Sequence, residues 1–260
     1  MKNWIGLLLV ILTCVTISCS NHNNQDNDLN SIRGKGLWSN NVKGKIDSLV
    51  LTSFEPKVLE GKVVLGYRID NGSFMDEVET YSNTGLLLSH KFIGHENYVR
   101  EIKYTIVGNK QVSSVMYLDG KLKRKDTLVY NHLGLEFEGS EHGGNSYGQQ
   151  HFIGIDSLVD STYYLAKGSI NSIGYFDYDQ FGNKIKRTDK SSSGKVRVFE
   201  FDNNSRGLIA NLKHYQVGKS DTSFGKFDYE YDSLGNWINR FIYDKGEVVS
   251  ILHREIYYRN

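Results

Sequence analysis

Proline and cysteine are scarce in this sequence. Its 260 residues include one proline and two cysteines, and both cysteines lie within the first twenty positions. If residues 1–18 are removed, one thiol remains and no disulfide can form within the chain. The sequence has 26 glycines beside its single proline, so we expect its tight turns to use glycine.

An excess of charge of either sign is also lacking. The formal net charge is +1, and Lys2 belongs to the N-terminal segment, so the rest of the chain has 30 basic and 30 acidic side chains. This balance gives no electrostatic reason to expect nucleic acid or an anionic membrane surface as a charge-driven partner.

Several catalytic motifs and helical patterns are missing as well. The sequence has no H-E-x-x-H, G-x-G-x-x-G or P-loop motif. After the N-terminal run, no segment combines a sustained apolar 3-4 spacing with helix caps, so we expect little or no helix there. We therefore predict a non-enzymatic protein without a cofactor or a metal site.

One long apolar run stands at the N-terminus. It extends from Trp4 to about Ile17, follows Lys2 and contains no acidic residue. It is shorter than the ~20 residues that span a membrane, and an Asn-rich stretch follows it at once. These features predict a secretory signal. A buried core helix is the weaker alternative, because no second apolar helix is present to pack against it.

The end of this run, Thr16-Ile17-Ser18-Cys19, resembles the lipobox of bacterial lipoproteins. In that family a small residue precedes a cysteine that receives lipid and becomes the mature N-terminus. Ser18 fits the small position, whereas Thr16 departs from the usual leucine. The resemblance implies a signal peptide at 1–18 and lipidation at Cys19. Lipidation at Cys14 and ordinary signal-peptidase cleavage are the alternatives.

Residues 19–41 are expected to form a flexible polar tether, because they contain few apolar anchors. The resemblance to lipoproteins implies that the lipid attaches the chain to a membrane. A residue other than Asp after the lipid cysteine usually permits sorting to the outer membrane in that family, and Ser20 is consistent with this. The expected location is therefore the cell envelope, on the periplasmic or the surface side of the outer membrane.

Alternation of apolar and polar residues predicts strands from Val42 onward. In "YVREIKYTI" (98–106), "KFDYEYD" (226–232) and "NWINRFIYD" (236–244) the two faces differ in polarity over at least five residues. The last of these predicts one face with Trp237 and Phe241, and the other with Arg240 and Ile242.

Glycines lie between these predicted strands, at the spacing expected of hairpin turns. Candidate turn glycines in the C-terminal half are Gly182, Gly194, Gly207, Gly225, Gly235 and Gly246. In "YDSLG" (231–235), Asp232 can accept from the backbone N–H two residues on, and Gly235 can take the left-handed position. A second kind of turn is predicted at "SSSGK" (191–195), "SFGK" (223–226) and "DKGE" (244–247). Two alternating turn types predict a meander of hairpins.

The phrase Y-D-x-x-G-N, at 178–183 and 231–236, resembles the YD repeat of RHS-type proteins. The similarity is best over about 175–258 and weak over 60–170, and it extends to short exported lipoproteins of Bacteroides-like bacteria. It implies an all-β antiparallel meander at 42–260, forming an extended, twisted or curved sheet, with partial closure as an alternative. RHS shells enclose a toxic enzyme, and this chain has no further domain to enclose.

A Gly- and Asn-rich stretch, "EGSEHGGNSYGQQHF" (138–152), shows no alternation. We expect a long loop at about 138–151 within one continuous sheet, with a hinge between two sheets as the alternative. This loop holds the best candidates for zinc binding or acid–base chemistry. The candidates are Glu138, Glu141, His142, His151 and Asp156. Their spacing fits no helix-face or knuckle pattern, so solvated surface residues are the favoured interpretation.

Two further groups have alternative uses. Asp228, Glu230 and Asp232 can bind Ca²⁺, but pairing with Lys226, Arg240 or Arg254 is the simpler use. The Tyr and Trp stripes can offer a platform for glycans or peptides, but core packing is favoured because every unit repeats them.

Together these features predict a membrane-anchored exported lipoprotein that acts as a non-enzymatic binding or assembly module. Its partner would be an unknown envelope protein or glycan. The alternatives are an exported hydrolase or metal-dependent enzyme that uses residues 138–156, and a surface protein that binds glycans through exposed aromatic residues.

Overall fold

The computed structural model describes residues 42–69, 76–94, 98–108, 110–132, 135–142, 145–154 and 158–259. Nearly all of them lie in strands, as the alternation predicts. The strands are β1 (Ile46–Leu59), β2 (Lys62–Arg68), β3 (Asp76–Tyr81), β4 (Leu87–Ile93), β5 (Val99–Val107), β6 (Lys110–Leu118), β7 (Lys121–Tyr130), β8 (Leu135–His142), β9 (Asn145–Ile153), β10 (Val159–Ala166), β11 (Ser169–Tyr178), β12 (Lys184–Ser191), β13 (Val196–Asn203), β14 (Ile209–Gln216), β15 (Thr222–Tyr231), β16 (Trp237–Asp244) and β17 (Glu247–Tyr258). Within these ranges there is no helix of the length and apolar character that crossing a membrane requires.

The strands form a closed ring. From β3 to β17, each strand pairs antiparallel with the next one in the sequence. Residues 46–54 of β1 pair with β17, and residues 48–52 of β1 pair with β3 on the other side. The predicted meander is confirmed. The expected extended sheet is wrong, because β1 joins the two ends of the meander into a barrel of sixteen strands that leaves out β2.

β2 belongs to a ribbon that leaves the barrel wall. After Phe54, β1 no longer pairs with β17 and instead pairs with β2, down to the contact between Leu59 and Lys62. In the described residues β2 pairs with no other strand. Val58 is 67% exposed and Tyr67 is 84% exposed, so this ribbon has little packing of its own.

The predicted turn at "YDSLG" is confirmed. Oδ1 of Asp232 accepts from the backbone N–H of Leu234 at 2.9 Å and also from that of Asn236 at 2.8 Å, and Gly235 has a φ of +82°. The same double acceptance occurs with the first side chain of three other turns. These turns are 82–86, 179–183 and 204–208. All four lie at one end of the barrel, which we call the proximal rim; the described chain begins there at Val42.

Turns at the opposite end, the distal rim, are not all of one kind. Two-residue turns such as Lys245–Gly246 have positive φ at both positions, as the right-handed twist of hairpins favours.

Two predictions about the turns of this rim are wrong. The turn "SSSGK" (191–195) was predicted to be of the same kind as "DKGE" (244–247), but the Ser191 hydroxyl accepts from the N–H of Lys195 in the manner of the Asp232 turn. The turn predicted at Gly225 is also wrong: Gly225 lies inside β15, and the positive-φ glycine of the neighbouring turn is Gly218.

Bulges follow the turns of the proximal rim and shift the alternation of inner and outer residues in the next strand. The register of β15 and β16 shifts between Glu230 and Tyr231, so that Tyr231 pairs with Trp237 and Tyr229 with Arg240. The prediction that Trp237 and Arg240 occupy opposite faces is therefore wrong. Both side chains point to the face of the wall that carries the core. The reason is that β16 has one residue more than β15 between the pairs Tyr231–Trp237 and Tyr229–Arg240.

The long loop expected at about 138–151 is wrong as well. β8 and β9 occupy this stretch and pair antiparallel from Phe137 with Gln150 to His142 with Asn145. Polar and glycine residues form strands here because each strand has a paired neighbour on both sides. The preference for one continuous sheet over two sheets with a hinge is confirmed.

The core lies on the inside of the ring. Its buried cluster combines residues from both halves of the meander with residues of β1. Its members are Leu49, Leu51, Tyr81, Leu87, Phe199, Phe201, Leu212, Phe227, Trp237, Ile242 and Leu252. The prediction that the repeated aromatic residues pack in the core is confirmed for Phe227 and Trp237, which are 3% and 6% exposed.

Candidate functional site

The two faces of the barrel wall differ in chemistry. Core residues occupy the inner face, and the outer face carries ion pairs within its strands. One of these joins Nζ of Lys213 to a carboxylate oxygen of Glu200 at 2.8 Å. Further pairs are Lys103–Glu101 at 3.3 Å and Lys226–Asp228 at 3.6 Å. Ion pairs in mid-strand are compatible with an outer face that is exposed to water.

Cations are frequent on the inner face. Cross-strand pairs share a face, so the register assigns the residues of each described strand to the inside or the outside. By this register, cations outnumber carboxylates among the inner residues whose side chains the structure describes. The cations are Arg100, Lys121, Arg124, Lys184, Arg187, Arg197, Arg240 and Arg254. The carboxylates are Glu77, Glu79, Asp126, Asp189, Asp244 and Glu247.

Near the proximal rim, the inner charges are enclosed by protein. The guanidinium of Arg254 lies 3.8 Å from the centroid of the Trp237 ring, and its Nε donates to the Trp237 carbonyl at 2.8 Å. Burial lowers the pKa of Arg254 to about 9. Burial also raises the pKa of the Glu79 carboxyl, which accepts a hydrogen bond from the Tyr81 hydroxyl. We assign this group a packing role.

A second charged group, which we call the distal patch, lies on the inner face of β12, β13 and β14 toward the distal rim. It consists of two cross-strand rows. The first row is Arg187, Phe199 and His214. The second row is Asp189, Arg197 and Gln216. Arg197 is exposed to solvent, and Asp189 is 21% exposed.

Contacts within the distal patch leave one nitrogen without a partner. Nε of Arg187 donates to Asp189 at 2.7 Å. The His214 ring stacks on Phe199 with 4.4 Å between ring centroids and an interplanar angle of 17°. Burial, followed by the positive charge of Arg197, lowers the pKa of His214. Nε2 of His214 is buried and has no hydrogen-bond partner among the described residues.

Two other inner carboxylates have nearby partners. An oxygen of Glu77 lies 3.2 Å from Nε2 of His90. Asp126 accepts from Nε of Arg124 at 3.0 Å and from the Ser114 hydroxyl at 3.1 Å. These acids are therefore engaged in the wall and are not arranged as a pair around an open position.

Of the five candidate residues at 138–156, only His151 has a side chain that the structure describes. His151 lies on the inner face of β9, is 8% exposed, and its Nδ1 lies 2.9 Å from the Thr162 hydroxyl. It is buried, contrary to the favoured interpretation of this group as solvated surface residues. Glu138, Glu141 and His142 lie on β8, but their side chains are outside the described set, as is Asp156.

The three acidic candidates on β15 do not converge on one point. Asp228 pairs with Lys226, Glu230 accepts from the Asn239 amide at 2.7 Å, and Asp232 holds its own turn. The alternative of pairing with Arg240 or Arg254 is wrong, because these arginines point to the inner face. Among the described residues, no group of three or more His, Cys, Asp or Glu side chains could hold a metal ion.

The remaining predictions concern surface aromatics and the N-terminus. Among the residues that the structure describes, the aromatic side chains that are more than half exposed lie on three separate elements and form no continuous platform. They are Tyr67 on β2, Phe181 in a proximal turn and Phe224 on β15. Cys19, the signal at 1–18 and the tether at 19–41 lie outside the described residues.

The inner cations were not expected from the sequence, although it contains a signal for them. The phrases "GNKIKR" (182–187) and "GNWINR" (235–240) share spacing, and each ends in an inner arginine. The bulge after each turn hides this signal, because strict alternation places the arginine opposite the first residue of the strand.

No protein-family model matches the chain, and no curated protein matches its sequence. Among solved structures, it is similar to a porin-like protein from Bacteroides uniformis, with 10% identity, a TM-score of 0.49, and coverage of 81% of this chain and 97% of that one. A porin-like protein from Bacteroides vulgatus gives 9% identity, a TM-score of 0.36, and coverage of 83% and 99%. The structure of TcdB2-TccC3-Cdc42 gives 9% identity, a TM-score of 0.33, and coverage of 77% and 14%. TM-scores of this size assign neither a family nor a function to the chain.

Proposed function

We propose that the chain is an exported lipoprotein, attached through Cys19 to the outer membrane, whose barrel stands in water and serves as a non-enzymatic binding or assembly module. The lipobox-like sequence supports the anchor, and the YD-like hairpins support the similarity to exported lipoproteins of Bacteroides-like bacteria. One observation carries the proposal: the outer wall bears ion pairs in mid-strand.

The outer wall favours a position beside the bilayer. A Lys or Arg on the lipid-facing side of a membrane-embedded strand costs about 2–4 kcal/mol at the bilayer midplane. Lys213 and Lys226 lie on the adjacent strands β14 and β15, and Lys103 lies on the distant strand β5, all on the outer face. Embedding the wall on any side would therefore add such penalties. Lipid chains on Cys19 would supply the attachment instead, at ~0.8 kcal/mol for each buried CH₂ group.

The inner face favours binding over catalysis. Its carboxylates Glu77, Asp126 and Asp189 already accept from or lie beside basic side chains. Arg197, by contrast, is exposed to solvent at the distal patch, beside the buried and unpartnered Nε2 of His214. Such an arrangement provides hydrogen-bond donors and charge without a paired acid and base.

Lipidation and cell fractionation test the anchor. The full chain should incorporate labelled palmitate and sediment with outer membranes, and Cys19→Ala should abolish both. The matched control is Cys14→Ala, which should change neither. Palmitate incorporation that persists in Cys19→Ala and is lost in Cys14→Ala would assign the lipid to the other cysteine.

Detergent dependence tests the position of the barrel. A chain without residues 1–19 should remain monodisperse without detergent, because its outer wall is charged. If this variant stayed in the membrane fraction after alkaline carbonate and required detergent for extraction, the barrel would be embedded and the proposal would fail.

A further inference from the structure

The distal patch has an excess of positive charge that its own residues do not neutralise. Asp189 is the one carboxylate in its two rows, and it accepts from Arg187. Arg197 stands opposite Asp189 across the strand pair, so two guanidinium groups share one carboxylate. A net positive patch inside a curved wall attracts anions more strongly than the same charges on an open surface.

His214 provides a second, independent observation. Its Nε2 is buried without a partner, and a buried polar nitrogen in this state is uncommon in folded proteins. The ring stacks on Phe199, which fixes the plane of the ring. An oxygen atom of a bound group would satisfy Nε2 once the side chains that cover this nitrogen move to admit that oxygen.

Donors of three kinds meet at this place. Arg197 lies diagonal to His214 across β13 and β14, Gln216 is opposite Arg197, and Ser223 of β15 is opposite His214. Diagonal neighbours on one face of a sheet are about 7–8 Å apart at their Cα atoms, within the reach of an arginine side chain. The planar fork of a guanidinium matches the oxygens of a carboxylate or phosphate.

We propose that the distal patch binds an oxyanionic group, a phosphate or a carboxylate, held by Arg197 and by the protonated ring of His214. The proposal gives a ligand class to the binding module and relies on the proposed function only for its cellular role. The site itself depends on the contacts within β12–β15.

Binding should depend on pH in a defined direction. The groups that face His214 are Arg197 from β13, Arg187 and Asp189 from β12, and the neutral Ser223 from β15. An anion placed beside His214 favours its protonated form, so bound anion raises the titration midpoint of this ring. By linkage, affinity for the anion increases as pH falls through that midpoint.

The test is NMR of ¹³C-histidine-labelled full chain, titrated with inorganic phosphate at fixed ionic strength, with sodium chloride as the reference. We expect the midpoint of the pH titration of His214 to rise with phosphate concentration until it reaches a plateau. The variant His214→Gln identifies the His214 resonance. The resonance of His253, which is on the outer face beside Asn239, should not respond. The measurement is the same with or without the N-terminal lipid, so failure of the anchor and failure of this site are distinguishable.

Two variants complete the test. Arg197→Gln should remove the saturable response, and because Arg197 is exposed the barrel should remain folded. The matched control, Lys213→Gln, removes one cation from the outer face of the adjacent strand and should leave the response intact. A response to phosphate that never saturates, or one that Arg197→Gln retains in full, would overturn the proposal.

Discussion

Asp232 joins a turn to the closing strand of the barrel. Its Oδ1 accepts from two backbone N–H groups of its own turn, and its Oδ2 accepts from the Tyr258 hydroxyl at 2.7 Å. Asn236, the last residue of the turn, donates to the carbonyl of Lys43 at 3.0 Å. A single carboxylate thus organises the place where the first and last parts of the described chain meet.

Replacing this carboxylate should weaken the barrel. We expect Asp232→Ala to lower the free energy of unfolding by about 0.5–1.5 kcal/mol, because three partly exposed donors lose a charged acceptor. Asp232→Asn should lose less, since Asn204 fills the same role in its own turn. Urea unfolding followed by circular dichroism measures both. The control, Asp228→Ala on the outer face, should stay within about 0.5 kcal/mol of the parent.

The same residue predicts a pH dependence. Burial alone would raise the pKa of Asp232, but hydrogen bonds from Tyr258, Asn236 and Leu234 outweigh it and lower the pKa. A pKa that is lower in the folded state contributes stability above the unfolded value of about 3.9, and this contribution is lost as pH falls through the folded pKa. The stability advantage of the parent over Asp232→Asn should therefore be constant near neutral pH and shrink in acid. An advantage that grows below pH ~4 would contradict this sign.

The first position of the two-residue turn Lys245–Gly246, at the distal rim, has a residue that is poorly suited to its backbone conformation. Lys245 has a φ of +51°, a left-handed conformation that Asn adopts more readily than Lys. We expect Lys245→Asn to raise the free energy of unfolding by about 0.5 kcal/mol. Lys226→Asn, in the extended part of β15, should give no such gain. A lower midpoint for Lys245→Asn in thermal unfolding would count against this turn geometry.

β1 offers a matched pair of leucines for a test of the ribbon. Leu49 is fully buried where β1 pairs with β3 and β17, whereas Leu59 is 49% exposed at the end of the ribbon. Leu49→Ala should lower the free energy of unfolding by about 2–5 kcal/mol. Leu59→Ala should change it by no more than about 0.5 kcal/mol. Equal losses in urea unfolding would mean that the ribbon packs against the wall.

Closure makes the folding of the whole barrel depend on its last strand. β17 pairs with both β16 and β1, so a chain that ends at Asp244 leaves two strands with open edges and removes Leu252 and Arg254 from the interior. We expect this truncated chain to lose cooperative thermal unfolding and to be digested by protease. A cooperative transition in it would show that the meander is stable without closure.

The control for this truncation is a variant with a shortened ribbon. Replacing residues 57–64 with Asn-Gly joins the paired residues Pro56 and Leu65 by a two-residue turn. Because the ribbon lies outside the ring, this variant should keep the cooperative transition of the parent.

Local features of this fold were predictable from sequence, and distant ones were not. The acceptor role of Asp232 and the position of Gly235 follow from one turn. The contact between Ile46 and Tyr258 joins residues at opposite ends of the described chain, and no local pattern specifies it. The inner position of Arg240 depends on a single extra residue in a bulge, and the strand at 145–153 depends on neighbours that override a weak local preference.

Val42 enters at the proximal rim, and Arg197 lies near the distal one. The lipid proposed for Cys19 and the oxyanion proposed for the distal patch would therefore reach the molecule from opposite poles. Membrane tethering would leave the distal rim, where Arg197 is exposed, facing the aqueous compartment.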